Sequence, residues 1–171
     1  NEKNAVLKQK ILRLCIVDGD YSISDFSREL DSSIPTITKL VSELIEAGYL
    51  KDLGKAGISS GRRPSIYGLN PDAGFIVGID VRRHHISIAI TDFKGQVIDY
   101  QSDMDFALSS TVESFKELCD FVLRHIEKLG IDKAQVLSYG VNLTGRVNHN
   151  TGYSYSYFIG EDKPIASVME G

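Results

Sequence analysis

Residues 22–50, SISDFSRELDSSIPTITKLVSELIEAGYL, decide how this chain is read. In the second half Ile37, Leu40, Val41, Leu44 and Ile45 recur at i, i+3, i+4, i+7 and i+8. That spacing gathers them into one apolar stripe of a helix and turns Lys39 and Ser42 the other way. Ser33 can cap this helix, and Pro35 sits in its first turn, where a missing amide hydrogen costs little. Gly48 stops it. The first half predicts a shorter helix from Ser22 or Ser24 to Leu30, with Ile23, Phe26 and Leu30 inward and the small Ser27 where another helix can cross closely. Asp31-Ser32-Ser33 is the polar turn between them. Two helices, a tight turn and a hydroxyl-rich front on the second are the layout of a helix-turn-helix, whose second helix enters the major groove of DNA.

Upstream, Leu7, Ile11, Leu14 and Cys15 predict a helix over residues 4–17, stopped by Asp18-Gly19-Asp20. Downstream, Tyr49–Leu53, the glycine-rich tip Gly54–Gly61 and the segment Arg62–Leu69 read as strand, tip and returning strand, the wing of a winged helix. Lys55, Arg62 and Arg63 make that tip basic. Beside Gly61 and the extended Pro64, the two arginines suit the narrow minor groove of A/T-rich DNA. At the helix front, Ser33, Pro35, Thr36, Thr38, Lys39 and Ser42 are the groove candidates. Short hydroxyls meet phosphates or base edges, proline can touch a thymine methyl, and Lys39 reaches guanine acceptors or a phosphate. For any one of these residues, ordinary solvated helix surface is the competing reading. Glu43 and Glu46 would repel phosphate, so the helix is expected to enter by its N-terminal end, where its dipole favours anions.

A chain of 171 residues with 42% hydrophobic content can bury one good core or two small ones, which excludes a disordered or fibrous class. The formal charge of −4 argues against a uniformly basic nucleic-acid coat. It hides an asymmetry: residues 1–70 carry ten Lys and Arg against nine Asp and Glu, and residues 71–171 carry nine against fourteen. Lys51, Lys55, Arg62 and Arg63 concentrate the basic excess. Cys15 and Cys119 both fall on apolar helix faces and read as reduced core residues rather than a disulfide or metal pair. No apolar run reaches the ~20 residues of a membrane helix, and the N-terminus lacks a secretory core, so a cytoplasmic setting is expected.

From Phe75 the hydrophobic period changes to two. FIVGIDV, ISIAITD and QVIDYQSDM predict an antiparallel meander turning at Phe93-Lys94-Gly95. Phe115, Leu118, Cys119, Val122 and Ile126 then mark a helix over 111–129 closed by Gly130, and VLSYGV is a fourth strand. The expected fold class is mixed α+β: a winged helix-turn-helix over 1–70, then an incomplete ribonuclease-H-like half domain of the actin-like ATPase type over 71–171.

These features together resemble the repressor branch of the ROK family of bacterial repressors and sugar kinases. The carriers are SIPTITKLVSELIEAGYL, Gly61-Arg62-Arg63-Pro64, the junction Leu69-Asn70-Pro71-Asp72-Ala73-Gly74, the strand Val77-Gly78-Ile79-Asp80 and GVNLTGRVNHNTG over 140–152. The resemblance spans essentially the whole chain. It implies a DNA-binding regulator of carbohydrate genes, a homodimer or homotetramer on double-stranded operator DNA, released by a sugar or sugar-phosphate effector. It also implies a fragment: the family's Asn-Asp sugar segment, its His/Cys zinc site and its second lobe belong beyond residue 171. No cofactor or metal is expected within these residues. Asn142, Thr144 and Gly145 match the family loop that approaches the effector cleft.

The rival from another class is a sugar kinase with an N-terminal extension. Kinases of this fold grip ATP with Asp-x-Gly-Gly-Thr-Lys after the first strand, because glycines let the backbone approach phosphate. Here Asp80-Val81-Arg82-Arg83-His84-His85 stands in its place, which speaks against an enzyme. A third reading gives the winged helix protein contacts only. Arg82 and Arg83 are expected at a solvated hairpin end. Adjacent His84 and His85 point to opposite strand faces and cannot easily share a metal ion. His125 is expected on the helix surface and His149 in a polar turn. Tyr153, Tyr155 and Tyr157 would align on one face of an extended segment, as packing or as a wall of the cleft.

Overall fold

The computed structural model describes residues 2–55, 64–109, 111–143, 145, 146, 148, 150, 151 and 153. It is a mixed α and β structure. Contacts divide the chain into two compact units, Asn1–Gly74 with Asp92–Gln96, and Phe75–Thr91 with Val97–Gly171.

The first unit holds helices α1 (Glu2–Val17), α2 (Ile23–Glu29) and α3 (Ile34–Glu46) with strands β1 (Tyr21–Ser22), β2 (Leu50–Lys55) and β3 (Ser65–Leu69). The strands form an antiparallel sheet in the order β1-β3-β2. The α3 stripe is the centre of the core: Ile37 and Leu40 are fully buried, Val41 and Leu44 nearly so, with Leu7, Ile11, Phe26, Leu50 and Leu69 around them. Burying each large aliphatic side chain stabilises by about 1.5–3 kcal/mol. Phe26 also stacks on Tyr21, with ring centroids 5.0 Å apart.

Ser22 begins α2, and the cap is reciprocal. Its Oγ accepts from the Asp25 amide at 3.2 Å and donates to Asp25 Oδ2 at 2.6 Å, while its own amide donates back to that oxygen. Ser22 also pairs with Ile66 through β1, a two-residue strand that the sequence reading did not anticipate. Between α2 and α3, Asp31 takes the left-handed region at φ 45°. Asp is one of the few residues besides Gly that tolerates it, because its short side chain can bond locally. Ser27 Oγ bonds the Ser32 carbonyl across this turn. Gly48, at φ 80°, ends the α3 run, and its carbonyl accepts from Asn70 Nδ2 at 2.7 Å.

The second unit is a four-stranded sheet in the order β6-β5-β4-β7, with one helix. Its elements are β4 (Phe75–Val81), β5 (His85–Asp92), β6 (Val97–Asp105), α4 (Val112–Lys128) and β7 (Val136–Leu143). β5 and β6 pair antiparallel, whereas β7 pairs parallel with β4. Period-two alternation sets the two faces. Val77, Ile79 and Val81 of β4 and Ile86, Ile88 and Ile90 of β5 are buried together with Phe115, Leu118, Val122 and Ile126 of α4. Gly78, Asp80, Ser87, Ala89, Gly140 and Asn142 alternate with the buried positions and lie on the other face. β6, an outer strand of the sheet, is interrupted by register shifts, and Asp103 takes φ 51°.

Both cysteines are free. Cys15 is buried, and burial first, then Asp20, pushes its thiol up to about 11. Cys119 is half-buried in an apolar groove beside Leu118, Tyr139 and Val141, and burial raises its thiol as well. Among the described residues no helix is long and apolar enough to cross a membrane.

Candidate nucleic-acid interface and effector cleft

The face of α3 opposite its buried stripe carries most of the predicted groove residues. Pro35, Thr38, Lys39 and Ser42 are exposed at i, i+3, i+4 and i+7, so they form one continuous strip. Ser33 is exposed at the N-cap and Thr36 is half-buried. Their hydroxyls are not all equally available. Ser33 Oγ caps the helix by accepting from the Thr36 amide at 3.4 Å, and it shares a 2.8 Å hydrogen bond with Thr36 Oγ1. Thr38 Oγ1 donates to the Ile34 carbonyl at 2.8 Å, so it can approach a phosphate as a donor only by giving up that bond. Ile34, which the sequence reading did not single out, is 47% exposed at the first turn. An exposed β-branched side chain at a helix start was the available signal.

Glu43 corrects the electrostatic expectation. Its carboxylate lies 2.7 Å from Lys8 Nζ of α1 and 3.9 Å from Lys39 Nζ. The Lys8 hydrogen bond is the main cause that holds the Glu43 carboxyl below its usual range. Its charge is therefore spread over an ion-pair network instead of standing alone against phosphate. Lys51, counted above among the basic residues, is paired with Asp72 at 2.8 Å. Lys55 is exposed at the end of β2, opposite Ser65 of β3. Arg62 and Arg63 lie outside the described residues.

In the second unit the parallel pair β4 and β7 sets Gly78 opposite Gly140 and Asp80 opposite Asn142. Asn142 Nδ2 donates to Asp80 Oδ1 at 2.7 Å, and Arg82 Nε donates to Asp80 Oδ2 at 2.9 Å. Arg82 Nη1 also lies 3.8 Å from Asp103. Arg82 lies exposed at the hairpin end, as expected there, and its guanidinium is shared between two carboxylates. Gly78, Asp80, Arg82, Gly140 and Asn142 border an open concavity of about 530 Å³. Gly145 takes φ 150°, in the region that favours glycine, while Thr144 lies outside the described residues.

The turn after β4 contains Arg82, Arg83 and His84, closed by the Arg82 amide donating to the His85 carbonyl at 2.8 Å. Three bulky side chains occupy the position where a phosphate grip needs glycines. His85 lies 3.8 Å from Asp105, and among the described residues no group of three or more His, Cys, Asp or Glu is placed to hold a metal ion. His125, expected on the surface, is instead 17% exposed and bonded to Asp99 of β6 at 2.8 Å. That bond leads the causes that lower the Asp99 carboxyl. Tyr153 is exposed; His149, Tyr155 and Tyr157 lie outside the described residues.

No family model matches the chain. It is 26% identical over 146 residues to a xylose repressor of Caldicellulosiruptor bescii, covering 85% of this chain and 36% of that protein. To a xylose repressor of Bacillus subtilis strain 168 it is 33% identical over 93 residues, covering 54% and 24%. The chain therefore spans less than half the length of the curated relatives it matches. In structure it superposes on a ROK family transcriptional regulator, a homologue of the E. coli Mlc protein, with a TM-score of 0.68 at 19% identity, over 92% of this chain and 42% of that one.

Proposed function

We propose that this chain, a homologue of ROK-type repressors, is a transcriptional regulator whose first unit is a winged helix-turn-helix that binds double-stranded operator DNA. Its second unit, on this reading, is part of a ribonuclease-H-like domain that senses a sugar and weakens DNA binding. On this reading the DNA-binding domain covers residues 1–70 and the sensor 71–171, and no catalysis is required of either. The observation that carries the reading is the two-sided character of α3. Its buried stripe is anchored in the core, while Pro35, Thr38, Lys39 and Ser42 are presented outward in register. Ser33 and Thr36 hold the helix start, whose dipole attracts a phosphate. Lys8 reduces the repulsion that Glu43 would exert. Lys55, Arg62 and Arg63 supply the wing's charge for the backbone or minor groove.

The sugar reading follows the relatives' description as xylose repressors. Asn142, Thr144 and Gly145 are its first candidate contacts. One such head reads few base pairs, so a dimer or tetramer on paired half-sites about one helical turn or more apart is part of the proposal.

The test is a selection of bound sequences from random duplex DNA with the intact protein, repeated over a panel of sugars. The expected result is an A/T-rich inverted repeat, released by one sugar. Replacing Arg62 and Arg63 with Ala should shallow the salt slope by up to about 1.8, since each phosphate contact contributes about 0.9. No enriched sequence at low salt, with ATP-dependent phosphorylation of a sugar, overturns the proposal.

A further inference from the structure

We propose that Ile34, the first residue of α3, reads the methyl group of a thymine in the major groove, so that the helix start recognises its site by apolar contact and not by hydroxyl hydrogen bonds. The inference rests on the reading of the first unit as a DNA-binding head and assigns that head a specificity-determining residue.

Neither the core nor the cap accounts for an isoleucine at this position. Ile34 opens α3 between the cap residue Ser33 and Pro35, and it is 47% exposed, whereas Ile37 and Val41 further along the same helix are buried in the core. The capping bonds belong to Ser33 and Thr36. A β-branched side chain on a helix surface also carries a small propensity penalty against Ala or Leu, because its χ1 freedom is lost against the backbone. One turn on, at i+4, stands the exposed Thr38, and the exposed Pro35 follows Ile34 directly. The first turn therefore brings an aliphatic side chain and a pyrrolidine ring to the end of the helix that is expected to enter the groove.

The hydroxyls at this end are already in use. Ser33 Oγ and Thr36 Oγ1 share one hydrogen bond, and Thr38 Oγ1 donates to the carbonyl of Ile34 itself. Turning any of them to a base edge exchanges one bond for another and gains little. Lys39 and Ser42 lie further along the helix, and the Lys39 ammonium is 3.9 Å from Glu43. What the first turn has left to offer is apolar surface, and the one alkyl group that base pairs display in the major groove is the thymine methyl. Burying one such methyl against an aliphatic side chain is worth about fourfold in affinity. The basic wing would favour A/T-rich DNA through the width of the minor groove. Helix and wing would thus select the same base composition by different physics, and removing the methyl alone separates the two.

The probe is the duplex that the intact protein enriches from random sequence, with each thymine replaced in turn by deoxyuridine, which lacks only the methyl group. Affinities are measured for wild type and Ile34→Ala. Wild type should lose about fourfold at a thymine of each half-site. Ile34→Ala should bind the unmodified duplex more weakly by the same factor and should no longer distinguish thymine from deoxyuridine there. Its melting temperature and salt slope should equal those of wild type, because no core or phosphate contact is removed. At the same position wild type should also prefer 5-methylcytosine to cytosine, since the methyl is kept while the base pair changes. Wild type that tolerates deoxyuridine at every position overturns the inference. So does a variant that keeps the wild-type sensitivity, which would assign the methyl to another side chain, or one weakened equally on all duplexes, which would make Ile34 a support of the helix. These outcomes leave the DNA-binding reading standing, whereas failure to enrich any sequence removes that reading together with this inference.

Discussion

Replacing Ser22 with Ala removes one side-chain oxygen that serves three bonds at once, to the Asp25 amide, the Asp25 carboxylate and the Ser24 hydroxyl. Ser22 is 1% exposed, so water cannot substitute for what is lost. The cap to the Asp25 amide is worth about 0.5–2 kcal/mol. The 2.6 Å bond to Asp25 Oδ2 is charge-assisted, a class worth about 1.5–3 kcal/mol. Asp25 is 36% exposed and keeps Arg28 at 2.8 Å, so solvent screening and the remaining partner hold that second contribution to its lower end or below. Together they give a loss of about 2–3 kcal/mol, or roughly 10 °C in melting temperature for a unit of this size. The loss should also depend on pH in a defined direction. The Ser22 hydroxyl is the first cause that holds the Asp25 carboxyl below its usual range. A carboxyl depressed in the folded state stabilises above its unfolded value and ceases to do so as pH falls through the folded one. The gap between wild type and Ser22→Ala should therefore be widest near neutrality and narrow below about pH 4 to the part contributed by the amide cap, which does not titrate. Urea denaturation of both proteins at several pH values, followed by circular dichroism, measures it. A loss under about 0.5 kcal/mol, or a gap unchanged by acid, refutes the reasoning.

Gly68→Ala places a Cβ 2.8 Å from Leu53 Cδ1 and 2.9 Å from Asp20 Cγ, so those two side chains must move. Both are ends of exposed side chains that can swing aside, so the expected cost in denaturant unfolding is small, under about 1 kcal/mol. Asp99→Asn removes the charge that holds His125 of α4 to β6. A stability loss of about 1 kcal/mol at pH 6 is expected, shrinking below about pH 4 as the wild-type carboxyl takes its proton. Lys8→Ala frees the Glu43 carboxylate on α3, and titration of operator DNA should show weaker binding although Lys8 lies on another helix.

The elements whose order comes from local spacing were legible in the sequence. The α3 stripe and the α4 stripe are periodic, and Ser33, Gly48 and Gly130 mark their ends without reference to the rest of the chain. What the sequence concealed depends on partners distant along it. β1 exists only because Tyr21 and Ser22 meet Tyr67 and Ile66, more than forty positions on. His125 is drawn inward by Asp99, twenty-six positions earlier, and no property of its own helix announces that bond. Arg82 is captured by Asp80 beside it, yet also by Asp103 across the sheet. At the α3 front, spacing identified an exposed strip but not which hydroxyls were already engaged. That depends on rotamers such as the one that turns Thr38 back to Ile34.

The interrupted pairing of β6 has a consequence for how copies of this chain behave in concentrated solution. An exposed strand with Val97, Ile98 and Tyr100 on view could recruit a neighbouring molecule's backbone and propagate into fibrils. Here the exposed Asp103 and Asp105 would bring like charges together in a self-paired copy, and the left-handed Asp103 bends the strand out of the straight form a template needs. The strand is thereby a poor template for unlimited edge-to-edge pairing.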